Sequence, residues 1–191
     1  MEAHTTEDLE LALDTLRKGG LILYPTDTIW GIGCDATQPE AIRRVFDLKK
    51  RDDKKSLIIL LADEKDVFTY VAAPPPHFHE LRRNSEKPTT FIFDGAIGLP
   101  DNLIADNGSI AIRWVKDPFC RALIKRLRKP LVSTSANISG DPSARMFSEV
   151  SEAIRNGVDY VVKHRQSEQV LAAASRILRF LPDGTTEVIR P

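Results

Sequence analysis

Residues 56–62 read SLIILLA, a continuous apolar run set between the charged stretch 49–55 and Asp63. The run has the length expected of a buried strand. Such a strand needs cover, and the sequence around it alternates between helical and extended patterns. Thr6 reads as a helix N-cap with Glu7 and Asp8 in the first turn, Leu9, Ala12, Leu13 and Leu16 recur at helical spacing, and Gly19-Gly20 supplies the stop. Further helices are expected at 39–48, 63–71, 118–127 and 148–157, with a short one after the proline run 74–76. Strands are expected at 21–24, 89–93, 109–115, 130–133 and 158–162. A last pair, 175–181 and 186–189, is joined by the turn residues Pro182, Asp183 and Gly184. No internal repeat or long linker interrupts this order. The pattern predicts one α/β domain over residues 1–191, a mixed twisted sheet with helices packed on it.

Charge narrows the ligand class. The chain balances 27 basic against 27 acidic residues, but not evenly. Arg43 to Lys55 carries a local excess of about four positive charges, and Arg113 to Lys129 is basic with only Asp117 opposing. A neutral chain with local positive concentrations points to a discrete anionic ligand rather than a general polyanion binder. For residues 121–129 a solvated helix face is the plain alternative. No apolar run approaches the roughly 20 residues of a membrane span. The start MEAHTTEDLE has no signal-peptide pattern. Cys34 and Cys120 lack metal-ligand spacing and read as reduced thiols. These features point to the cytoplasm, without membrane association.

Three polar segments adjoin expected strands, where α/β sheets usually hold ligands. In YPTDTIWGIG, 24–33, Thr26, Asp27 and Thr28 follow a strand, and the glycines let backbone approach a ligand; a simple turn would read the same. LKKRDDKKSL, 48–57, offers guanidinium forks and ammonium point charges, the pair of chemistries a polyphosphate needs; a charged surface turn is the alternative. STSANISG, 133–140, offers hydroxyls, an amide and backbone N–H groups without charge, or else a hydroxyl-rich structural turn. Neither a Walker A loop nor a dinucleotide fingerprint occurs. His77 and His79 flank Phe78 without a third ligand, so no protein-bound metal is expected. There is no GxSxG elbow, which disfavours nucleophilic hydrolysis.

In order, GGLILYPTDTIWGIGCDA, LKKRDDKKSLIIL, SIAIRW and KPLVSTSANISGDPSA resemble the YrdC/Sua5 family, from about Leu9 to Arg190. Each motif alone is modest; four in one order are specific. The family's KxR signature stands as Lys49-Lys50-Arg51 and its SxN signature as Ser135-Ala136-Asn137. The resemblance implies a YrdC-like fold of the short bacterial form, with a concave basic cleft. It also implies an L-threonylcarbamoyladenylate synthase, a nucleotidyltransferase. Such an enzyme makes threonylcarbamoyl-AMP and pyrophosphate from L-threonine, bicarbonate and ATP. Mg²⁺ accompanies the ATP, and a threonylcarbamoyl transferase complex is the partner that modifies adenosine 37 of tRNA. Contact with RNA, including double-stranded RNA, is implied as possible.

By the same resemblance Lys49 and Arg51 are the catalytic cations on the triphosphate, with Lys55 beside them. Ser109, Asn137, Arg145 and Arg190 complete the ATP set, while Thr28, Arg113, Ser135 and Ser175 bind threonine. The chain departs from the family at Lys55-Ser56-Leu57, at Leu60 in place of a histidine that contacts threonine, and at Ser85-Glu86-Lys87-Pro88. A non-catalytic RNA-binding module and a YciO-like ATP-hydrolysing paralogue are the alternatives; the intact KxR and SxN pair favours the synthase.

Overall fold

The computed structural model describes residues 3–51, 57–169, 171–181 and 183–191. Helices are α1 (Ala3–Arg17), α2 (Pro39–Lys49), α3 (Val67–Tyr70), α4 (Phe78–Arg83), α5 (Pro118–Leu127) and α6 (Glu152–Gly157). Strands are β1 (Ile22–Tyr24), β2 (Gly31–Gly33), β3 (Ile58–Leu61), β4 (Thr89–Phe93), β5 (Ile110–Trp114), β6 (Leu131–Ser135), β7 (Tyr160–Val161), β8 (Arg176–Phe180) and β9 (Thr186–Arg190). They form one mixed sheet in the order β7-β1-β2-β6-β3-β5-β4-β8-β9. Neighbours β1/β7, β3/β5 and β4/β8 run parallel, and the other pairs antiparallel.

Side chains alternate across a sheet, so each strand contributes to two faces. On one face stand Leu23, Ile32, Val132, Ile59, Leu61, Ile112, Trp114, Phe91, Phe93, Leu178 and Phe180, in one buried cluster with Ile42, Val45 and Phe46 of α2. The aromatic end interlocks: Phe91 stacks on Phe180 at 5.7 Å, and Phe78 of α4 on Trp114 at 5.7 Å. On the other face, α1 and α5 cover only one end. There Leu13 and Leu16 meet Phe119, Leu123, Ile22, Leu60 and Leu131. Beyond α5 the same face changes character. Its cross-strand row carries Ser133, Ile58, Ala111 and Ile92, and the next carries Arg113, Thr90, Ile177 and Arg190. Isoleucines mixed with small and polar side chains, on a part of the sheet without helix cover among the described residues, make the floor of a cavity.

Local chemistry explains the boundaries. Asp117 accepts from the Cys120 N–H at 2.8 Å and caps α5, with Pro118 in the first turn. Lys50, left-handed at φ 48°, ends α2 as its N–H and that of Arg51 turn back to Asp47 and Phe46. Several expectations are corrected. Helix α1 starts at Ala3, so Thr6 lies inside it rather than capping it. The Asp8 carboxylate instead serves a distant partner, accepting from Tyr160 Oη at 2.6 Å and from the His164 N–H at 2.7 Å. The helix expected at 63–71 divides into a 3₁₀ turn at Glu64–Asp66 and α3. The one expected at 148–157 divides into a 3₁₀ turn at Phe147–Glu149 and α6, whose cap is Ser151. Strand β6 runs on to Ser135, because Gly31 and Ile32 of β2 pair with Ser135 and Thr134.

Candidate active site

The uncovered floor opens a cavity of about 230 Å³ walled by Arg51, Arg113, Ser135, Ser175 and Arg190, with Thr28 at its edge. Its described lining includes three arginines and no carboxylate. A cavity of about 520 Å³ adjoins it, sharing Thr28, Trp30 and Ala174 and adding Asp27, Arg145 and Arg165. A third, of about 460 Å³, holds Asn137 and shares Ser143 with the first and Arg145 with the second. Shared lining residues connect the three.

Gly31 lines the first cavity. It shares a face with Gly33 and Tyr24, and a Cβ on Gly33 would stand 2.7 Å from the Tyr24 ring and 2.8 Å from Val132 O. Next, Thr28 Oγ1 lies 2.8 Å from Thr26 Oγ1 and accepts from Arg113 Nη1 at 2.9 Å. Arg113 is 5% exposed, and its Nε is buried without a hydrogen bond. Its Nη2 pairs with Asp27 Oδ1 at 3.5 Å, too long for a hydrogen bond, and that oxygen has none. Ser175 Oγ lies 2.8 Å from Thr90 Oγ1, while Arg190 Nε donates to Ser175 O at 2.8 Å. Burial and the nearby Arg113 lower the pKa of Arg190. Two guanidiniums thus stand close together with Asp27 beside only one of them, an arrangement that an anion relieves.

Lys49 is 1% exposed despite its charge. Its ammonium donates to Ser135 O at 2.5 Å and to Asn137 O at 2.6 Å, and the Ser139 N–H returns to Lys49 O at 2.8 Å. The end of α2 is thereby stitched to the SxN segment, and Arg51 is carried to the cavity wall. Burial, then repulsion from Arg51, pushes Lys49 down to about 8. Burial also lowers Arg51. The Asn137 amide N–H₂ donates to Asp141 O at 2.7 Å and Ile138 O at 3.0 Å, leaving Oδ1 buried and unbonded.

The first cavity thus gathers Thr28, Arg51, Arg113, Ser135, Ser175 and Arg190, while Asn137 and Arg145 line the neighbouring ones. Ser109 stands apart. It lines a shallower cavity of about 300 Å³ with Arg179, donates to Asn107 Oδ1 at 2.7 Å, and reaches the floor only through Ile92 and Ala111. Lys55 lies outside the described residues, as does Ser56. Leu60, paired with Arg113 in register, is wholly buried with α5 and offers no polar group to the cavity. Lys87 and Pro88 line the 520 Å³ cavity. The basic stretch at 121–129 is a helix face after all: Arg121 and Lys125 pair with Asp63, Arg126 with Glu10 and Lys129 with Asp35. His79 pairs with Glu64, and no cluster of three metal-ligating side chains occurs among the described residues. Residues not singled out in the sequence, Thr90 and Arg165, also belong here; only strand pairing and a distant loop bring them in.

The threonylcarbamoyl-AMP synthase of Xanthomonas campestris pv. campestris (strain B100) is 32% identical over 160 residues, 82% of this chain and 86% of that one. The crystal structure of P. abyssi Sua5 complexed with L-threonine matches with a TM-score of 0.87 at 24% identity, over 96% of this chain and 53% of that one. The chain thus spans about half the length of that Sua5. E. coli YciO matches with a TM-score of 0.82 at 24% identity, over 95% of this chain and 87% of that one. At such identities the two structures establish the fold. The family model for Sua5, YciO and YrdC, described as telomere recombination, matches residues 14–191. By that match the chain belongs to the Sua5/YciO/YrdC family.

Proposed function

We propose that the chain is a threonylcarbamoyl-AMP synthase, making threonylcarbamoyl-AMP and pyrophosphate from L-threonine, bicarbonate and ATP. The observation that carries this reading is the cation set of the 230 Å³ cavity. Arg51, Arg113 and Arg190 arrive there from three separate elements among hydroxyls, with Asp27 beside Arg113 and the unbonded Asn137 Oδ1 in a neighbouring cavity. That combination suits two anionic ligands side by side. The curated relative of the same name adds weight.

In this reading Arg113 takes the threonine carboxylate, and Thr28, Ser135 and Ser175 orient the amino acid. Arg51 and Arg190 hold the triphosphate, with Lys49 fixing the SxN segment around it, Lys55 adding charge to the ATP set and Ser109 at the periphery. Asn137 and Arg145 take the nucleoside side. The threonine nitrogen bonds to the carbonate carbon with loss of water. A carboxylate oxygen of the resulting carbamate then attacks the α-phosphorus, and the bond to pyrophosphate breaks. No protein nucleophile is needed: positioning and stabilisation of the charge growing on pyrophosphate do the work. Mg²⁺ enters with ATP as part of the substrate. The product would pass to a threonylcarbamoyl transferase complex for tRNA adenosine 37, in the cytoplasm; no helix among the described residues is long and apolar enough to cross a membrane.

The test is a pair of variants in a pyrophosphate-release assay. Arg113→Ala should raise KM for L-threonine with little change in KM for ATP. Arg51→Ala should cost about 2–4 kcal/mol in transition-state stabilisation, read from kcat/KM for ATP, and Arg51→Lys should recover part of it. Two variants that affect both substrates alike would refute the assignment.

A further inference from the structure

The loop Pro25 to Thr28 is tied down residue by residue. Cys120 Sγ donates to Pro25 O at 3.2 Å, the Lys116 N–H to Asp27 Oδ2 at 3.0 Å, and Arg113 Nη1 to Thr28 Oγ1 at 2.9 Å. All three ties come from β5, α5 or their junction. The fourth does not. Thr26 O accepts from Arg165 Nη1 at 3.0 Å, from the connection between β7 and β8.

That connection is anchored where it leaves β7, since the Asp8 carboxylate accepts from the Lys163 and His164 N–H groups at 3.0 and 2.7 Å. It then walls the 520 Å³ cavity through Arg165, Glu168 and Ala172 to Ala174, the same cavity that Thr26, Asp27 and Thr28 line. Arg165 adopts φ 65°, a left-handed backbone that residues with side chains hold only when their surroundings enforce it. The enforcement is visible. Besides Thr26 O, Nη1 donates to Asp117 Oδ2 at 3.0 Å, and Nε donates to Glu168 Oε2 at 2.7 Å. Asp117 in turn caps α5 through the Cys120 N–H. Arg165, Asp117, Cys120 and Pro25 thus close a circuit around the loop.

We propose that Arg165 is a positioning residue that locks the Thr26–Thr28 loop to the cavity-walling segment and so holds Thr28 against Arg113. The identity of the ligand so positioned, an α-amino acid, rests on the function proposed above; the lock itself rests on the hydrogen bonds. An anchored Thr28 costs no reorganisation when the ligand arrives.

The experiment compares the whole chain with Arg165→Ala and Arg165→Lys by amide hydrogen exchange, thermal unfolding and pyrophosphate release. In Arg165→Ala, peptides covering 25–30 and 163–169 should both exchange about tenfold faster or more while β5 keeps its protection. KM for L-threonine should rise about tenfold with KM for ATP within about twofold. Arg165→Lys should restore part of each effect, since an ammonium reaches one acceptor where the fork reaches several. Unchanged exchange at 25–30 overturns the lock. So does an equal rise in both KM values with a fall in Tm, which marks general destabilisation. A wild-type protein without threonine-dependent turnover refutes the proposed function instead, and the exchange comparison alone then decides the lock.

Discussion

A single ammonium joins two of the motifs. Lys49 leaves its helix end, crosses to β6 and donates to the carbonyls of Ser135 and Asn137. The sequence places Lys49 in a charged run, where surface exposure is the ordinary expectation. What turns it inward is a pair of carbonyls more than eighty residues away, which no local pattern announces. Arg113 entered the site through the resemblance carried by SIAIRW, and its strand was legible from the alternation of Ile110, Ile112 and Trp114. The inward lysine has a pH signature. Its pKa falls from 10.5 to about 8, chiefly through desolvation. Below that value folded and unfolded chains both carry the proton, and the folded state bears the full cost of a buried charge. Between about 8 and 10.5 the unfolded chain holds more protons, so stability rises with pH. Urea unfolding should show wild type gaining about 1–3 kcal/mol on Lys49→Met across that window. A constant difference between the two would contradict the burial of the charge.

Strands and helices were mostly readable, and the exceptions have physical causes. Strand β3 was announced by SLIILLA, since Ile59, Leu60 and Leu61 are buried on both faces of the sheet and leave little room for polar residues. Helix α5 was announced by its Asp-Pro start. Strand β6 was underestimated because its last residues, Thr134 and Ser135, owe their extended form to pairing with β2 rather than to their own preferences. Helix α1 already contains Thr6, and Asp8, which looks like first-turn chemistry, is engaged by Tyr160 and the backbone of 163–164. The glycines of β2 test the packing of this layer. A methyl group on Gly33 meets both the Tyr24 ring and the Val132 carbonyl, and neither is a free side-chain end. Gly33→Ala should therefore lower unfolding stability by about 1–3 kcal/mol in urea titration. A loss below about 0.5 kcal/mol would show that Tyr24 yields easily.

For the molecule as a whole, one sheet does two jobs. Its bulky apolar face is buried against α2 and α4, while α1 and α5 cover only one end of the opposite face. Among the described residues the rest of that face is free of helices and mixes isoleucines with small and polar residues, and Arg113 of β5, Arg190 of β9 and Arg51 beyond α2 line the cavity there. The division into segments was visible in the sequence, but not the cross-strand register that sets Arg113, Thr90 and Arg190 in one row. Nor could the sequence show that Ser109 would stand one cavity away. The claim at this scale is that the open face binds an amino acid and a nucleotide together and joins them. The threonine dependence of pyrophosphate release by the purified chain, with ATP and labelled bicarbonate present, tests it most directly. The account expects release only with L-threonine, with label entering a threonylcarbamoyl adenylate in equal amount; phosphate release indifferent to threonine would contradict it.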